Sequence, residues 1–319
     1  MTVSTEPRAA APPPIPSAAA APVRNKEAAW RRKDRLWGMA FVAPQAVGML
    51  VFTLVPFAAA FGLAFTAWNG FGMPEWVGMA NFVDQIFDPL LHRSILNTLV
   101  LALITVPIGL GLSMVFAVML NSIRRRAIYL LLLFAPVVTS QVAIALIWQQ
   151  ILRPDGAFSN LIARVFGVIP PDWLANPYTA LGAVCLVTIW ASVGLNTVIF
   201  MAGLQNVSPA VLEAAQIDGA GVLTRFFRII LPMVSPVIFY QSVVAFISSL
   251  QTFDLVFVLV KNAGPDNGTR TIVYHIYDIG FQKSDFGISS AASIILLALT
   301  LIITAIQFGA QKRFVHYEE

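Results

Sequence analysis

The residues of this sequence that could do chemistry are polar side chains set within long apolar runs. They fall mainly in residues 178–203 and 231–260, and those we predict to face a solute pathway are Thr188, Ser192, Asn196, Ser248, Ser249, Gln251 and Asp254. A polar side chain in hydrocarbon is costly unless it lines a cavity or bonds a neighbour, so such residues are default candidates for a pathway. Hydroxyl and amide groups suit a solute with many OH groups, such as a sugar.

Two other interpretations of these side chains stay open. Serine and threonine in membrane helices often bond the preceding turn or allow close helix packing. A carboxylate costs on the order of 2–3 kcal/mol at the centre of a bilayer, so Asp254 should have a partner or water contact. It could form an ion pair, couple protons or accept a sugar hydroxyl, and we favour a structural or gating role.

Residue sets typical of enzymes and metal sites are absent from the sequence. There is no GxxxxGK[ST] phosphate loop, so the chain itself should not hydrolyse ATP. His92, His275 and His316 lie in separate segments without metal-ligand spacing. The single cysteine, Cys185, lies inside an apolar run, can form no intrachain disulfide and is expected to be inert. These features indicate a conduit that binds no cofactor and no metal, and not an enzyme.

Composition and hydropathy predict an all-α membrane protein. The 319 residues are 58% hydrophobic and 11% charged, with a mean hydropathy of +0.77. A membrane-spanning helix needs about 20 predominantly apolar residues. Six runs pass this test: roughly 38–66, 95–120, 127–152, 178–203, 231–260 and 287–309. None shows the period-two alternation of a β-barrel strand, so a six-helix bundle is predicted over residues 37–312.

The distribution of Lys and Arg predicts the orientation. With the N-terminus inside, fourteen of the twenty basic residues fall on the inner side, so both termini are predicted to be cytoplasmic. The same asymmetry accounts for the net charge of +4, and no nucleic-acid partner is inferred. Residues 1–36 are predicted to be a disordered, basic, Ala/Pro-rich tail, with a second tail at 313–319. The competing interpretation is a cleavable signal peptide, but the first apolar run begins too late and is too long for the hydrophobic segment of such a peptide.

The inner loop between spans four and five, residues 205–230, is too long for a simple link and should be folded. Ser208 is expected to cap a helix through its hydroxyl, with Pro209 at the first helical position. The helix should cover Ala210 to Asp218 and end at Gly219 in the left-handed conformation. A second short helix is expected from Gly221 into span five. Together they would form a helix-turn-helix across the inner mouth of the bundle.

At this loop the sequence resembles a known family. The run EAAQIDGAGVLTRFFRIILPMVSP resembles the signature cytoplasmic loop of permease subunits of ATP-binding-cassette (ABC) importers. The matching positions are Glu213, Ala214, Ala215, Asp218, Gly219, Ala220, Phe226, Ile229, Leu231, Pro232 and Pro236. FVAPQAVGMLVFTLVPF in span one, NAGPDNGT after span five and DFGISSAAS opening span six extend the resemblance to the carbohydrate-uptake class, to its maltose-type first permease.

The resemblance implies a type I ABC importer permease fold and a subunit that couples sugar import to a separate ATPase. It implies that the first helix of the loop inserts into a groove of that ATPase, with the coupling residues Glu213, Ala214, Ala215, Asp218, Gly219 and Ala220. The implied partners are a second homologous permease in a heterodimer, a cytoplasmic ATPase dimer that uses ATP and Mg²⁺, an extracytoplasmic solute-binding protein, the sugar and the lipid bilayer. The implied location is the bacterial plasma (inner) membrane. The same motifs place Ala191 and Leu195 near the sugar, beside the pathway residues.

The sequence departs from the maltose permease in lacking two N-terminal helices and a large outer domain, and in having Ala263 where a glycine is usual. Other function classes remain as alternatives. The chain could be an ion-coupled secondary transporter of a small polar solute with Asp254 as coupling carboxylate, or a membrane scaffold or sensor. The inner loop could instead be an amphipathic helix resting on lipid headgroups, although its polar face is acidic rather than basic.

Overall fold

The computed structural model describes residues 24–168 and 170–314 and is almost entirely helical. Its α-helices are α1 (Arg24–Met49), α2 (Val55–Leu63), α3 (Ala80–Phe87), α4 (Pro89–Asn121), α5 (Arg126–Phe134), α6 (Gln141–Ile151), α7 (Ala157–Phe166), α8 (Pro177–Leu204), α9 (Pro209–Ile217), α10 (Val222–Arg225), α11 (Leu231–Met233), α12 (Ser235–Leu250), α13 (Asp254–Leu259), α14 (Ile272–Tyr277) and α15 (Phe286–Phe314). Strands β1 (Thr66–Ala67) and β2 (Glu75–Trp76) pair antiparallel, with Thr66 opposite Trp76. Wider π-helical turns cover Leu50–Leu54, Phe226–Ile230 and Asp278–Gln282, and 3₁₀ turns cover Lys261–Ala263 and Pro265–Asn267. The prediction of an all-α protein is confirmed.

The chain divides into two compact units, residues 1–58 and residues 59–319. In the first unit α1 passes through Pro44 and continues into the π-helical turn Leu50–Leu54 ahead of Pro56. A proline lacks an N–H and its ring clashes with the carbonyl four residues earlier, which the wider turn relieves. Because α1 begins at Arg24, the prediction of a disordered tail up to residue 36 is wrong for residues 24–36. The predicted tail at residues 1–22 lies outside the described residues, and of the second tail only residues 313 and 314 are described, as the end of α15.

Two of the six predicted spans, three and five, are divided in the structure. Among the described residues, four helices are long and apolar enough to cross a membrane, and a bent pair makes a fifth. Predicted span three is two short helices, α5 and α6, because Pro136 in the link between them cannot continue a helical ladder. Predicted span five is interrupted at residues 251–253, between α12 and α13, and its inner end bends by 70° between Met233 and Ser235. The prolines at 232 and 236 flank that bend.

The core of the second unit forms where α4, α8 and α12 pack together. One buried apolar cluster joins these helices near the inner loop and includes Met114, Ala117, Phe200 and Val234. The other joins α6, α8 and α13. Close approach is possible at Gly194 on α8, where a Cβ would lie 1.9 Å from the carbonyl oxygen of Leu133, so any larger residue would push α5 away.

Candidate functional site

A cavity of about 400 Å³ lies between α4, α8, α12 and α13. All seven predicted pathway residues line it: Thr188, Ser192 and Asn196 from α8, Ser248 and Ser249 from α12, and Gln251 and Asp254 from the break in span five. Ala191 and Leu195 line it as well, and Thr105, Gln141, Gln241 and Thr252 add further polar groups. The structure therefore brings together residues that stand more than sixty positions apart in the sequence.

The break in span five places non-helical backbone at the cavity wall. Gln251, Thr252 and Phe253 separate α12 from α13, and all three line the cavity. Irregular backbone within a membrane is tolerated where it is buried in protein or lines a cavity, because its free polar groups then find partners. The carbonyl oxygen of Thr252, for example, accepts a hydrogen bond from Thr271 Oγ1 at 3.1 Å.

The hydroxyl groups on α8 and α12 combine the two roles that the sequence left open. Thr188 Oγ1 donates to the carbonyl of Val184 at 2.8 Å and Ser192 Oγ to that of Ile189 at 3.0 Å, so each bonds the preceding turn while lining the cavity. Ser249 Oγ lies 3.2 Å from Thr105 Oγ1 and joins α12 to α4. Each of these hydroxyls uses its proton in a hydrogen bond within the protein. Its oxygen keeps lone pairs that can accept a hydrogen bond from a solute.

An amide pair joins α8 to α12 at the cavity. Gln241 Nε2 donates to Asn196 Oδ1 at 2.5 Å, and both residues are buried. The remaining oxygen, Gln241 Oε1, is buried and finds no hydrogen-bond partner among the described residues. Leaving a buried amide oxygen without a donor costs about 1–3 kcal/mol, and this side chain would have to move before its oxygen could accept a hydroxyl from the cavity.

Asp254 is the one charged side chain that lines the cavity. It is exposed to the cavity space and forms no salt bridge within the part of the chain that the structure describes. The ion-pair explanation of this carboxylate therefore has no support among residues 24–168 and 170–314. Trp190, which the sequence sets between the polar residues of α8, instead packs edge-on against Trp148, with ring centroids 5.5 Å apart, and is not among the lining residues.

The inner loop folds as the predicted helix-turn-helix. Helix α9 begins with Pro209 and ends in a left-handed residue, Gly219, whose φ is 80°. The backbone N–H of Ala220 donates to Ala215 O at 2.9 Å and that of Gly219 to Gln216 O at 3.1 Å, which is the Schellman arrangement of a helix C-terminus. The prediction of a Ser208 hydroxyl cap is wrong. Its side chain forms no capping hydrogen bond.

The coupling residues of this loop divide between an exposed and a packed side. Glu213, Ala214 and Asp218 are exposed, while Ala215 and Ala220 are half-buried. Leu212, like Phe226 and Ile230, packs against the buried cluster that includes Met114 and Phe200, which fixes one side of α9 to the core.

Large apolar side chains stand exposed around the same helices, namely Val211, Ile217, Val222, Leu223 and Phe227. An exposed apolar patch beside an exposed carboxylate is typical of a protein-binding surface. Glu213 forms no salt bridge within the described part of the chain.

Comparison with known proteins decides the family. Residues 108–316 match the family described as binding-protein-dependent transport system inner membrane component. The probable ABC transporter permease protein YesP of Bacillus subtilis is 35% identical over 90% of this chain and 94% of its own length. The chain belongs to this family. It is therefore a multi-pass membrane permease of an ABC importer, a transport component rather than an enzyme.

Two further similarities agree with this membership. The arabinooligosaccharides transport system permease protein AraP of Bacillus subtilis is 30% identical over 94% of the permease and 96% of its own length. A crystal structure of a bacterial ABC transporter involved in the import of the acidic polysaccharide alginate superposes with a TM-score of 0.78. It is 25% identical and covers 90% of this chain and 99% of that one, which confirms the type I importer permease fold.

A buried polar network holds the loop between spans five and six of the permease. Arg270 Nη2 donates to Asp278 Oδ2 at 2.6 Å, and its guanidinium also contacts His275 Nδ1. Asn97 Nδ2 donates to the carbonyl oxygens of Asn267 and Arg270. Burial lowers the pKa of His275 to about 4, and the positive charge of Arg270 acts in the same direction. The imidazole is therefore neutral near pH 7.

The sequence analysis left some lining residues out. Thr105 and Gln141 face the cavity from α4 and from the start of α6. The rule that selected polar residues in spans four and five would have found them if applied to spans two and three, which also carry polar side chains inside apolar runs. What the sequence could not supply was which helix face meets the cavity.

Proposed function

We propose that this permease forms half of the translocation pathway for a sugar or sugar-derived solute. The observation that carries the proposal is the lining of the cavity, which combines hydroxyls, carboxamides and one carboxylate and contains no Lys, Arg or His. Hydroxyl and amide groups match the many hydroxyls of a sugar, and the cavity is large enough for about one small-molecule ligand. Half of the pathway would come from a second, homologous permease.

The names of similar proteins support a sugar. AraP is named for arabino-oligosaccharides, and the superposed transporter imports alginate. Both solutes are carbohydrates, and the cavity residues described above offer the polar groups that a carbohydrate needs. We extend the carbohydrate class to this permease on these grounds, without choosing a particular sugar.

The coupling role is assigned to α9. We propose that Glu213 and the exposed apolar side chains around it dock into a separate ATPase dimer, which binds the ATP and Mg²⁺, with Ala214, Ala215, Asp218, Gly219 and Ala220 forming the turn and contact surface. An acidic and apolar surface suits a protein groove with a basic residue better than anionic lipid headgroups, which would repel Glu213 and Asp218. This arrangement puts both termini in the cytoplasm and the solute-binding protein on the opposite side.

One observation favours a second candidate, an ion-coupled secondary transporter. Asp254 is a carboxylate on the cavity wall without a charged partner among the described residues, as a proton-coupling group would be. Membership of the ABC importer permease family opposes this alternative, and so does the coupling loop, which has no evident use in such a transporter.

Reconstitution separates the two functions. The permease is purified with its co-expressed ATPase, second permease and binding protein, placed in proteoliposomes, and supplied with radiolabelled arabinose oligomers, maltose or lactose as probes. Uptake that requires ATP on the ATPase side and is unaffected by collapsing the proton gradient is expected. Uptake by the permease in vesicles that lack the ATPase would overturn the proposal.

A further inference from the structure

Helix α3, on the outer side before span two, has its polar face inside and its apolar face outside. Asn81 and Gln85 lie four residues apart on one face and are 5% and 3% exposed. Their side chains are bonded within the protein. Asn81 Nδ2 donates to the carbonyl oxygens of Ala64 and Thr66, each at 2.9 Å, and Gln85 Oε1 lies 2.9 Å from His275 Nε2.

The opposite face of α3 is apolar and uncovered within the chain. Val83, Ile86 and Phe87 are 49%, 55% and 76% exposed. Their spacing of three and four residues puts them on one stripe of the helix. The preceding hairpin continues the exposed apolar surface with Phe71, Met73, Trp76 and Met79. Ordinary surface helices show the reverse pattern, with apolar residues inward and polar residues toward water.

We propose that α3 and the β1–β2 hairpin form an interfacial anchor that rests on the outer leaflet of the bilayer, with this apolar stripe among the lipid acyl chains. The inverted pattern fits a helix whose outer neighbour is hydrocarbon and whose inner neighbour is protein. Between Phe71 and Phe87 the sequence contains two charged side chains, Glu75 and Asp84, both acidic, and no Lys or Arg. The proposed contact is therefore an apolar one with the acyl chains, and it gains nothing from anionic headgroups, which would repel both carboxylates.

Chain connectivity places α3 at the membrane boundary. Asp88 ends α3 and also caps the span α4, since its carboxylate accepts a hydrogen bond from the backbone N–H of Leu90 at 2.8 Å. The helix is therefore joined without a linker to α4, which continues into predicted span two at residue 95. Trp76 supplies the amphipathic ring that is enriched at membrane–water interfaces.

A lipid neighbour fits this surface better than the solute-binding protein does. A protein that binds transiently uses an interface about as polar as the rest of a protein surface. Here the polar side chains of α3 are already bonded inward, apart from Asp84, so few donors or acceptors remain for such a partner to recognise.

Site-specific fluorescence tests the anchor in the assembled transporter. In a Cys185→Ala background, Val83→Cys and Phe87→Cys are labelled with the polarity-sensitive fluorophore NBD, with Asp84→Cys as matched control on the same helix and Asn160→Cys as a water-exposed control. The complexes are placed in phosphatidylcholine nanodiscs with and without doxyl-labelled lipid. Blue-shifted emission and loss of fluorescence to doxyl lipid are expected at 83 and 87, less at 84, and none at 160, unchanged by added solute-binding protein.

Three results would overturn the proposal. Water-like emission at 83 and 87 would leave the stripe uncovered. Shielding that arises only with the solute-binding protein would make it a docking surface for that protein, and shielding without doxyl quenching would assign it to the second permease. Quenching of Trp76 by brominated lipid, measured as the difference between the unlabelled transporter and its Trp76→Phe variant, provides the same decision without cysteine substitutions.

Discussion

Gln241 on α12 donates to Asn196 on α8 at 2.5 Å, and this bond joins two helices across the base of the candidate solute cavity. The same glutamine keeps a buried oxygen without a partner among the described residues. One side chain therefore joins two helices through its nitrogen, while its oxygen stays buried beside the cavity.

We expect the Asn196–Gln241 pair to show positive coupling in a double-mutant cycle. Asn196→Leu or Gln241→Leu leaves the partner amide buried and unbonded, which should cost about 1–3 kcal/mol each. The double variant should be less destabilised than the sum by about 1 kcal/mol, a typical value for bonds between membrane helices. Thermal unfolding of the purified permease in detergent measures this, and additive effects would show that the bond does not form.

The Asp254→Asn variant tests whether Asp254 couples protons to transport or only lines the pathway. We expect the variant to keep ATP-dependent uptake, with less than about a tenfold change in rate, since a carboxamide retains an oxygen acceptor and loses only the charge. The measurement is uptake in proteoliposomes with and without a proton gradient, with Gln251→Asn as a neutral control at the same break. Complete loss of gradient-driven uptake would instead favour the secondary transporter.

The sequence indicated where polar side chains gather when a physical rule acts on single residues. Polar side chains in hydrocarbon need a cavity or a partner, and the seven residues chosen with this rule and the family resemblance all line one cavity. That a solute passes along them stays a prediction. The left-handed turn at Gly219 was likewise predictable, because only glycine adopts a φ of 80° without a steric penalty.

The sequence predicted less well where several elements must act together. Residues 231–260 read as one apolar run, but the break at Gln251–Phe253 is stabilised by contacts from elsewhere, such as Thr271 bonding the freed carbonyl of Thr252. A hydropathy value averaged over a long window does not show a break of three residues. The inverted polarity of α3 was missed for a similar reason, since Gln85 is drawn inward by His275, which lies far along the chain.

Glu213→Lys should uncouple the permease from its ATPase. The side chain is exposed on α9 and has no salt bridge within the described part of the chain, so its reversal should leave folding intact. We expect loss of substrate-stimulated ATP hydrolysis by the assembled complex with normal membrane insertion. Glu75→Lys, an exposed reversal on the outer hairpin, serves as control, and unchanged hydrolysis in Glu213→Lys would argue against docking through this residue.

Ala263→Gly should stabilise the permease. Ala263 is fully buried with a φ of 60°, a conformation in which a Cβ costs roughly 1–2 kcal/mol. Part of that gain is offset because glycine is freer in the unfolded chain and because a buried methyl group is lost, so a net increase of no more than about 0.5 kcal/mol is expected. Ala163→Gly, in the interior of helix α7, should have the opposite sign. Melting temperatures of both variants check the prediction, and a decrease in both would mean that the site is not strained.

Acidification should destabilise the buried polar network of Arg270, His275 and Asp278, because His275 becomes protonated. Its folded-state pKa of about 4 lies below the ordinary value of 6.5, because burial and Arg270 disfavour the imidazolium. Between those values the unfolded chain binds more protons than the folded one, so stability is complete above pH 6.5 and falls as the pH drops toward 4. The loss should approach about 3 kcal/mol at the acid end.

His275→Gln should lower stability at pH 7 but flatten the slope of stability between pH 7 and pH 4.5, whereas His92→Gln, at an exposed position, should leave that slope unchanged. Melting temperatures measured across that range test the prediction. An equal slope of stability against pH in the His275→Gln protein would show that another group causes the pH dependence.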